Sequence, residues 1–277
     1  MSKLFSAVKH LAILLVIGVG ISWLSSLKKE KPNQEVINGI NFAVATLTQQ
    51  NVDLEYEEQS LEILRSGHIL SNQDINHLLA DSYGKSGAYI YARKDTGPYT
   101  MSAQGIDKAH YLVNSYLEGY LPFHVNNVMM PLYVLSKRKR YVLDANQYQG
   151  RSEVWQSSRQ AFLYPRGDCE DHAIALADWL IEMNHDARVV VGDMDGGGHA
   201  WVILFKNGKE YLLEATLKSG VNPNKSYPLA SLHKLYHPEY MFNRDNFWVN
   251  TGTKFTTDYS GDHWEKASIY KGVKALN

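Results

Sequence analysis

The chain has 277 residues, a formal net charge of −1, and a composition of 44% hydrophobic and 21% charged residues, which is that of a globular protein. That balance excludes a field strong enough to recruit nucleic acid or an anionic membrane by charge alone. A single cysteine excludes an intramolecular disulfide framework and any zinc site built on several thiolates.

Residues 1–10 form a short segment carrying Lys3 and Lys9. The run LAILLVIGVGISWLSSL, Leu11 to Leu27, then carries no charge and is closed by KKEK. As a helix it spans roughly 25 Å, close to the hydrocarbon thickness of a bilayer. A cleaved signal peptide is the rival reading, but Gly20-Ile21-Ser22 matches a small-x-small cleavage site poorly. Residues 11–27 therefore read as an uncleaved transmembrane signal anchor. The soluble domain is expected on the periplasmic or extracytoplasmic side. Lysines balanced on both flanks leave a cytosolic domain open.

Residues 28–100 read as a linker and an N-terminal helical region. Ile37, Ile40, Val44 and Leu47 recur at helical spacing and predict a helix from about Gln34 to Gln50. A second is expected around Glu57 to Arg65, ended by Gly67, and a third over SNQDINHLLADSYG, capped at Ser71 or Asn72 and stopped by Gly84. Tyr83 to Ala103 reads as strand and loop, and Gln104 to Glu118 as a further helix. Residues 101–277 form the main domain, in which the basic run Ser136 to Arg140 (SKRKR) reads as a solvated turn or strand edge. The aromatics of the last forty residues read as core and loop packing rather than as a ligand platform.

The only cysteine lies in RGDCEDHAIALADWL. Asp168 suits an N-cap, with Asp171 at capping-box spacing, and acids favour the positive end of a helix. Cys169, Ala173, Leu176, Ala177 and Leu180 then fall on one face. A thiol at a helix start is favoured as thiolate and lies beside unpaired N–H groups able to stabilise an oxyanion. The neighbouring carboxylates oppose that, and a nearby imidazolium would overcome them.

GGGHAWVILFKNGKEYLLEAT supplies the histidine. Asn207-Gly208 is a strong hairpin signal flanked by alternating apolar runs. A two-residue loop pairs Lys206 with Lys209, carries on to Trp201 with Glu214, and makes Glu214 the diagonal, same-face neighbour of His199. Cys169, His199 and Glu214 thus have the order of nucleophile, base and orienting acid. Taken singly, each has a plainer reading: a core cysteine, an edge histidine and a surface acid.

VWQSSRQAFLYPRGDCEDHAIALADWLIEMNHDARVVVG, followed by GGHAWVIL and YLLEAT, resembles the transglutaminase-like superfamily, most closely the bacterial transglutaminase-like cysteine proteinases. The resemblance covers roughly Val154 to Thr216. It implies an α+β fold with a papain/transglutaminase-like core. In such a core Cys169 starts a central helix packed on an antiparallel sheet that carries His199 and the acid. Family members use Asp as the third residue, and Glu214 replaces it here. Gln156 or Trp155 could complete an oxyanion hole, and Trp201 shares the His199 face and could shield the imidazole.

No cofactor is required by this chemistry, but some related bacterial proteinases bind calcium beside the catalytic cysteine through an acidic motif. Asp168 and Glu170 are the candidate ligands here. GDMDGGGH adds Asp193 and Asp195 without the other ligands of an EF-hand loop. Zinc at His172 or His185 lacks a two-histidine motif. The expected function is a membrane-anchored thiol hydrolase, a cysteine peptidase or amidase acting on a peptide or protein through a thioacyl-enzyme. Acyl transfer to an amine and a non-catalytic peptide-binding module are the alternatives.

Overall fold

In the computed structural model, residues 59–78, 86–225 and 227–272 are described. The signal anchor expected at 11–27, the helix expected over 34–50 and the expected Gly84 stop lie outside them. None of the described helices is long and apolar enough to cross a membrane.

The described chain opens with β1 (Ser60–Ile63), β2 (Ile69–Ser71) and α1 (Asn72–Leu78). β1 corrects the helix expected around Glu57 to Arg65. Leu61 and Ile63 are buried while Ser60 and Glu62 are half-buried, a period of two that marks a strand. α1 starts where its cap was expected: Asp74 N–H donates to Ser71 Oγ, and Ser71 N–H returns a bond to Asp74 Oδ2 at 2.7 Å.

β3 (Ala88–Arg93), β4 (Gly97–Gly105) and β5 (His110–Leu112) form a second sheet. Of the helix expected over Gln104 to Glu118, only a 3₁₀ turn, Val113–Tyr116, is helical; the end of β4, a turn and β5 take the residues before it. The 3₁₀ turn is buried throughout, so it has no solvent face for an amphipathic helix to present.

The next elements, α2 (Met130–Arg138), β6 (Arg140–Tyr141), α3 (Asp144–Gln147), β7 (Val154–Trp155), α4 (Ser158–Leu163) and β8 (Arg166–Gly167), are short. The SKRKR run ends α2 and enters β6, but Lys139 is only 2% exposed, so the run is not simply a solvated edge. α4 opens with a complete capping box between Ser157 and Gln160. β6 and β8 pair in parallel, with Tyr141 opposite Gly167.

α5 (Cys169–Glu182) follows two residues later. It stops at Asn184, whose positive φ of 61° lets His185 N–H reach back to the Leu180 carbonyl. α5 packs on β9 (Asp186–Met194) and β10 (Gly197–Lys206), and β10 turns into β11 (Lys209–Leu213). Asn207 and Gly208 both have positive φ, the requirement of the tight hairpin turn, and Lys206 pairs with Lys209 as the sequence predicts.

β12 (Tyr236–Phe242), β13 (Asn246–Asn250) and β14 (Trp264–Lys271) complete an eight-stranded antiparallel sheet in the order β11-β10-β9-β12-β13-β14-β1-β2. One face carries Val190, Trp201, Ile203, Leu212, Met241 and Trp248, closed over by Tyr259 and Trp264. Tail aromatics thus pack the core, as expected. The alternate residues Val189, Val202, Leu204 and Leu213 are fully buried too, so both faces are covered. Behind the helix, buried Asp178 accepts Arg244 Nε at 2.6 Å and Ser158 Oγ at 2.5 Å, which fixes α5 to α4 and to the β12–β13 turn.

Candidate active site

Cys169 is the first residue of α5, after an extended Asp168. Its Sγ lies 3.4 Å from Glu170 Oε2. The expected capping box does not form in full. Asp168 makes no side-chain cap, and its Oδ2 instead accepts the N–H of Asp144 at 3.1 Å. Asp171 Oδ1 accepts Gln156 N–H at 2.8 Å. The acids at the helix start are thus turned toward neighbouring elements.

His199 stands on β10 opposite Gly192 of β9. A side chain at Gly192 would overlap the His237 carbonyl oxygen of β12, so glycine is what allows β12 to lie this close. His199 Nε2 donates to Glu214 Oε2 at 2.9 Å, and both side chains are about nine-tenths buried, at 9% and 12% exposure. The diagonal placement read from the hairpin parity is therefore realised just past the last paired residues, Val202 and Leu213. With Nε2 engaged by Glu214, Nδ1 is the ring nitrogen left to serve the Cys169 sulfur.

Glu214 is itself held by four donors. Thr216 N–H and Oγ1 reach its Oε1 at 2.9 and 2.6 Å, and Tyr236 Oη joins His199 on Oε2 at 2.7 Å. Burial would raise its pKa, but the bonds from His199 and Thr216 and the imidazolium charge outweigh this and bring it down to about 2. Burial likewise works against the His199 charge, yet the Cys169 sulfur and Glu214 raise its pKa to about 9. The ring is stacked on Trp201 at 6.2 Å and tilted 24°, and Tyr236 flanks it at the same centroid distance. Trp201 thus occupies its expected place beside the imidazole. Tyr236 lies on a strand the sequence reading did not connect to the site.

The two expected oxyanion donors are elsewhere engaged. Lys139 Nζ can only donate, so the Gln156 oxygen faces it at 3.2 Å. Gln156 Nε2 then donates to Tyr148 Oη at 3.0 Å and to the Arg166 carbonyl at 3.2 Å, which uses both its hydrogens. Trp155 is 2% exposed, stacks on Phe242 and meets the edge of Tyr116. Its place is that of a core residue.

Asp168 and Glu170 do belong to a cation-sized group of oxygens, but with two further members. Asp144, Asp168, Glu170 and Asp171 are all buried and present carboxylate oxygens within 4.8 Å of one another. One oxygen of each has no hydrogen-bond partner among the described residues: Asp144 Oδ1, Asp168 Oδ1, Glu170 Oε1 and Asp171 Oδ2. Four orphaned carboxylate oxygens at this spacing fit a hard divalent cation such as calcium. Burial and then the neighbouring acids raise Asp144 to about 8, and burial raises Asp171 to about 7 against the pull of Lys139. Burial, Cys169 and the two flanking aspartates push Glu170 well above the ordinary range.

His172 is not a metal ligand. Lys218 Nζ donates to its Nε2 at 2.6 Å, which puts the ring proton on Nδ1, bonded to the Asp168 carbonyl at 2.5 Å. Asp193 and Asp195 belong to a turn, where Asp193 Oδ1 accepts Gly196 N–H and Asp195 has a positive φ of 54°.

A cysteine at a helix start, facing a strand histidine held by an acid on an antiparallel sheet, is the arrangement of the transglutaminase-like cysteine-protease folds. Residues 153–267 match the family model described as "CEP76 peptidase-like domain". Solved structures similar to it include Legionella pneumophila LapG, 17% identical over 46% of this chain and 68% of that one, with a TM-score of 0.36. The EGTA-treated form of LapG is also 17% identical, over 50% and 72%, with a TM-score of 0.35. A candidate cysteine protease from Cytophaga hutchinsonii is 12% identical over 90% and 67%, with a TM-score of 0.28. No curated protein matches the chain.

Proposed function

We propose that this protein is a membrane-anchored thiol hydrolase, a cysteine peptidase or amidase acting on peptide or protein substrates. The observation that carries the reading is the 2.9 Å bond from His199 to a fourfold-held Glu214, beside the only cysteine of the chain at a helix start. Cys169 attacks the carbonyl as thiolate, and the imidazolium of His199 gives its proton to the departing amine. The neutral ring then takes a proton from water, which cleaves the thioester and releases the acid. Glu214 orients His199 and stabilises its charge. Asp144, Asp168, Glu170 and Asp171 would hold calcium, whose charge would offset theirs next to the sulfur.

Iodoacetamide should alkylate Cys169 faster than a free thiol near neutral pH, and Cys169→Ala should abolish hydrolysis. Alkylation no faster than that of free cysteine, or full activity in the alanine variant, would rule the mechanism out. Residues 11–27 supply the anchor and the soluble domain lies outside the cytoplasm. Protease added to spheroplasts should therefore digest the domain, whereas protection until lysis would reverse the topology.

A further inference from the structure

Thioester formation needs a donor at the carbonyl oxygen. First-turn N–H groups of α5 lack intrahelical acceptors and can provide one bond. A side chain must provide the other, and Gln156 and Trp155 are committed elsewhere. Tyr141 sits differently. It pairs with Gly167, two residues before Cys169, and the neighbouring Val142 N–H bonds the Gly167 carbonyl at 3.0 Å. Its ring lies 6.2 Å from the His172 ring at a tilt of 30°, and His172 is the residue three on from Cys169, on the same side of the helix. Tyr141 is 45% exposed, and its hydroxyl makes no hydrogen bond among the described residues. A half-exposed ring fixed at its strand opposite Gly167 and at its face by His172, with an unclaimed O–H, is a preorganised donor.

We infer that the Tyr141 hydroxyl is the side-chain donor of the oxyanion hole, and this rests on the thiol-hydrolase reading. As the Cys169 sulfur bonds to the carbonyl carbon, the C=O π pair moves onto oxygen. The Tyr141 O–H and a backbone N–H hydrogen-bond the resulting oxyanion without transferring a proton. Collapse returns the pair and expels the leaving group. Burial, followed by the charges of Cys169, Asp168 and Glu170, raises the phenol pKa and keeps it a donor wherever the enzyme works.

Two probes separate this role from the nucleophile itself. p-Nitrophenyl acetate acylates a thiol through an oxyanion, with nitrophenolate leaving, whereas iodoacetamide is displaced at a saturated carbon and forms none. Tyr141→Phe keeps the ring and removes only the donor. It should slow acetylation of Cys169 by p-nitrophenyl acetate about 10²-fold and leave the iodoacetamide rate unchanged. Unchanged acetylation in Tyr141→Phe, or equal slowing of both reactions, would overturn the assignment. A wild-type Cys169 inert to both reagents would instead sink the thiol-hydrolase reading and this inference with it.

Discussion

Replacing His199 by asparagine should slow acylation of Cys169 by about 10²–10⁴-fold, the range spanned by a positioned acid–base group. The argument rests on how the ring is fixed. Nε2 is bound to Glu214, and the ring lies beside Trp201 and Tyr236, which themselves meet edge to face at 5.1 Å. Asparagine retains polarity at the position but titrates nowhere near neutrality. Glu214→Gln should act more mildly and in a diagnostic direction. Glu214 helps raise His199 to about 9, so without its charge the imidazolium loses its proton at lower pH. The alkaline limb of the alkylation profile should then move toward neutrality. An unmoved profile would mean that Glu214 does not set the His199 charge. Full acylation in His199→Asn would remove histidine from the mechanism.

Calcium should stabilise the protein, and by more at pH 8 than at pH 6. Without metal, the folded state raises Asp144 to about 8, Asp171 to about 7 and Glu170 well above its usual value, whereas unfolded carboxyls titrate near 4. Between those limits the folded chain binds more protons than the unfolded one. Stability therefore falls as pH rises from about 4 to about 8. Calcium favours the ionised carboxylates and opposes that fall. At free calcium between 100 and 1,000 times Kd the gain is about 3–4 kcal/mol, which moves Tm by several degrees. Melting curves in calcium and in EGTA at both pH values measure this, with Asp144→Asn expected to shrink the difference. Identical curves at both pH values would leave the four carboxylates without a calcium role.

The parts of the site that were legible in the sequence are those built by local geometry. The helical face through Cys169 and the parity of the Asn207-Gly208 hairpin are one-dimensional patterns, and they place Cys169 at a helix start, His199 on β10 and Glu214 just past β11. The Ser157–Gln160 capping box was equally local and could have been read from SSRQ. Asp144, Lys139, Tyr141 and Tyr236 could not be read this way. They reach the site through the β6–β8 pair, α3 and β12, none of which is fixed by spacing near Cys169. The two misread segments failed for different reasons. Around β1, too few residues separate a period of two from 3.6, and beyond Gln104 the chain is too buried for polarity to mark a face.

The large sheet is stitched together over very unequal stretches of chain. β9, β10 and β11 are successive, joined by tight turns, and they carry the histidine to within reach of its acid. At the other end β1 pairs with β14, setting Ser60 against Lys271. Closing that contact confines almost the whole described chain as one loop, an entropy cost that the hairpins do not meet. In the order of folding, the reactive end of the sheet belongs to the early, local events. The union of β1 with β14 is a late clasp, gained when most of the remaining surface is already in place.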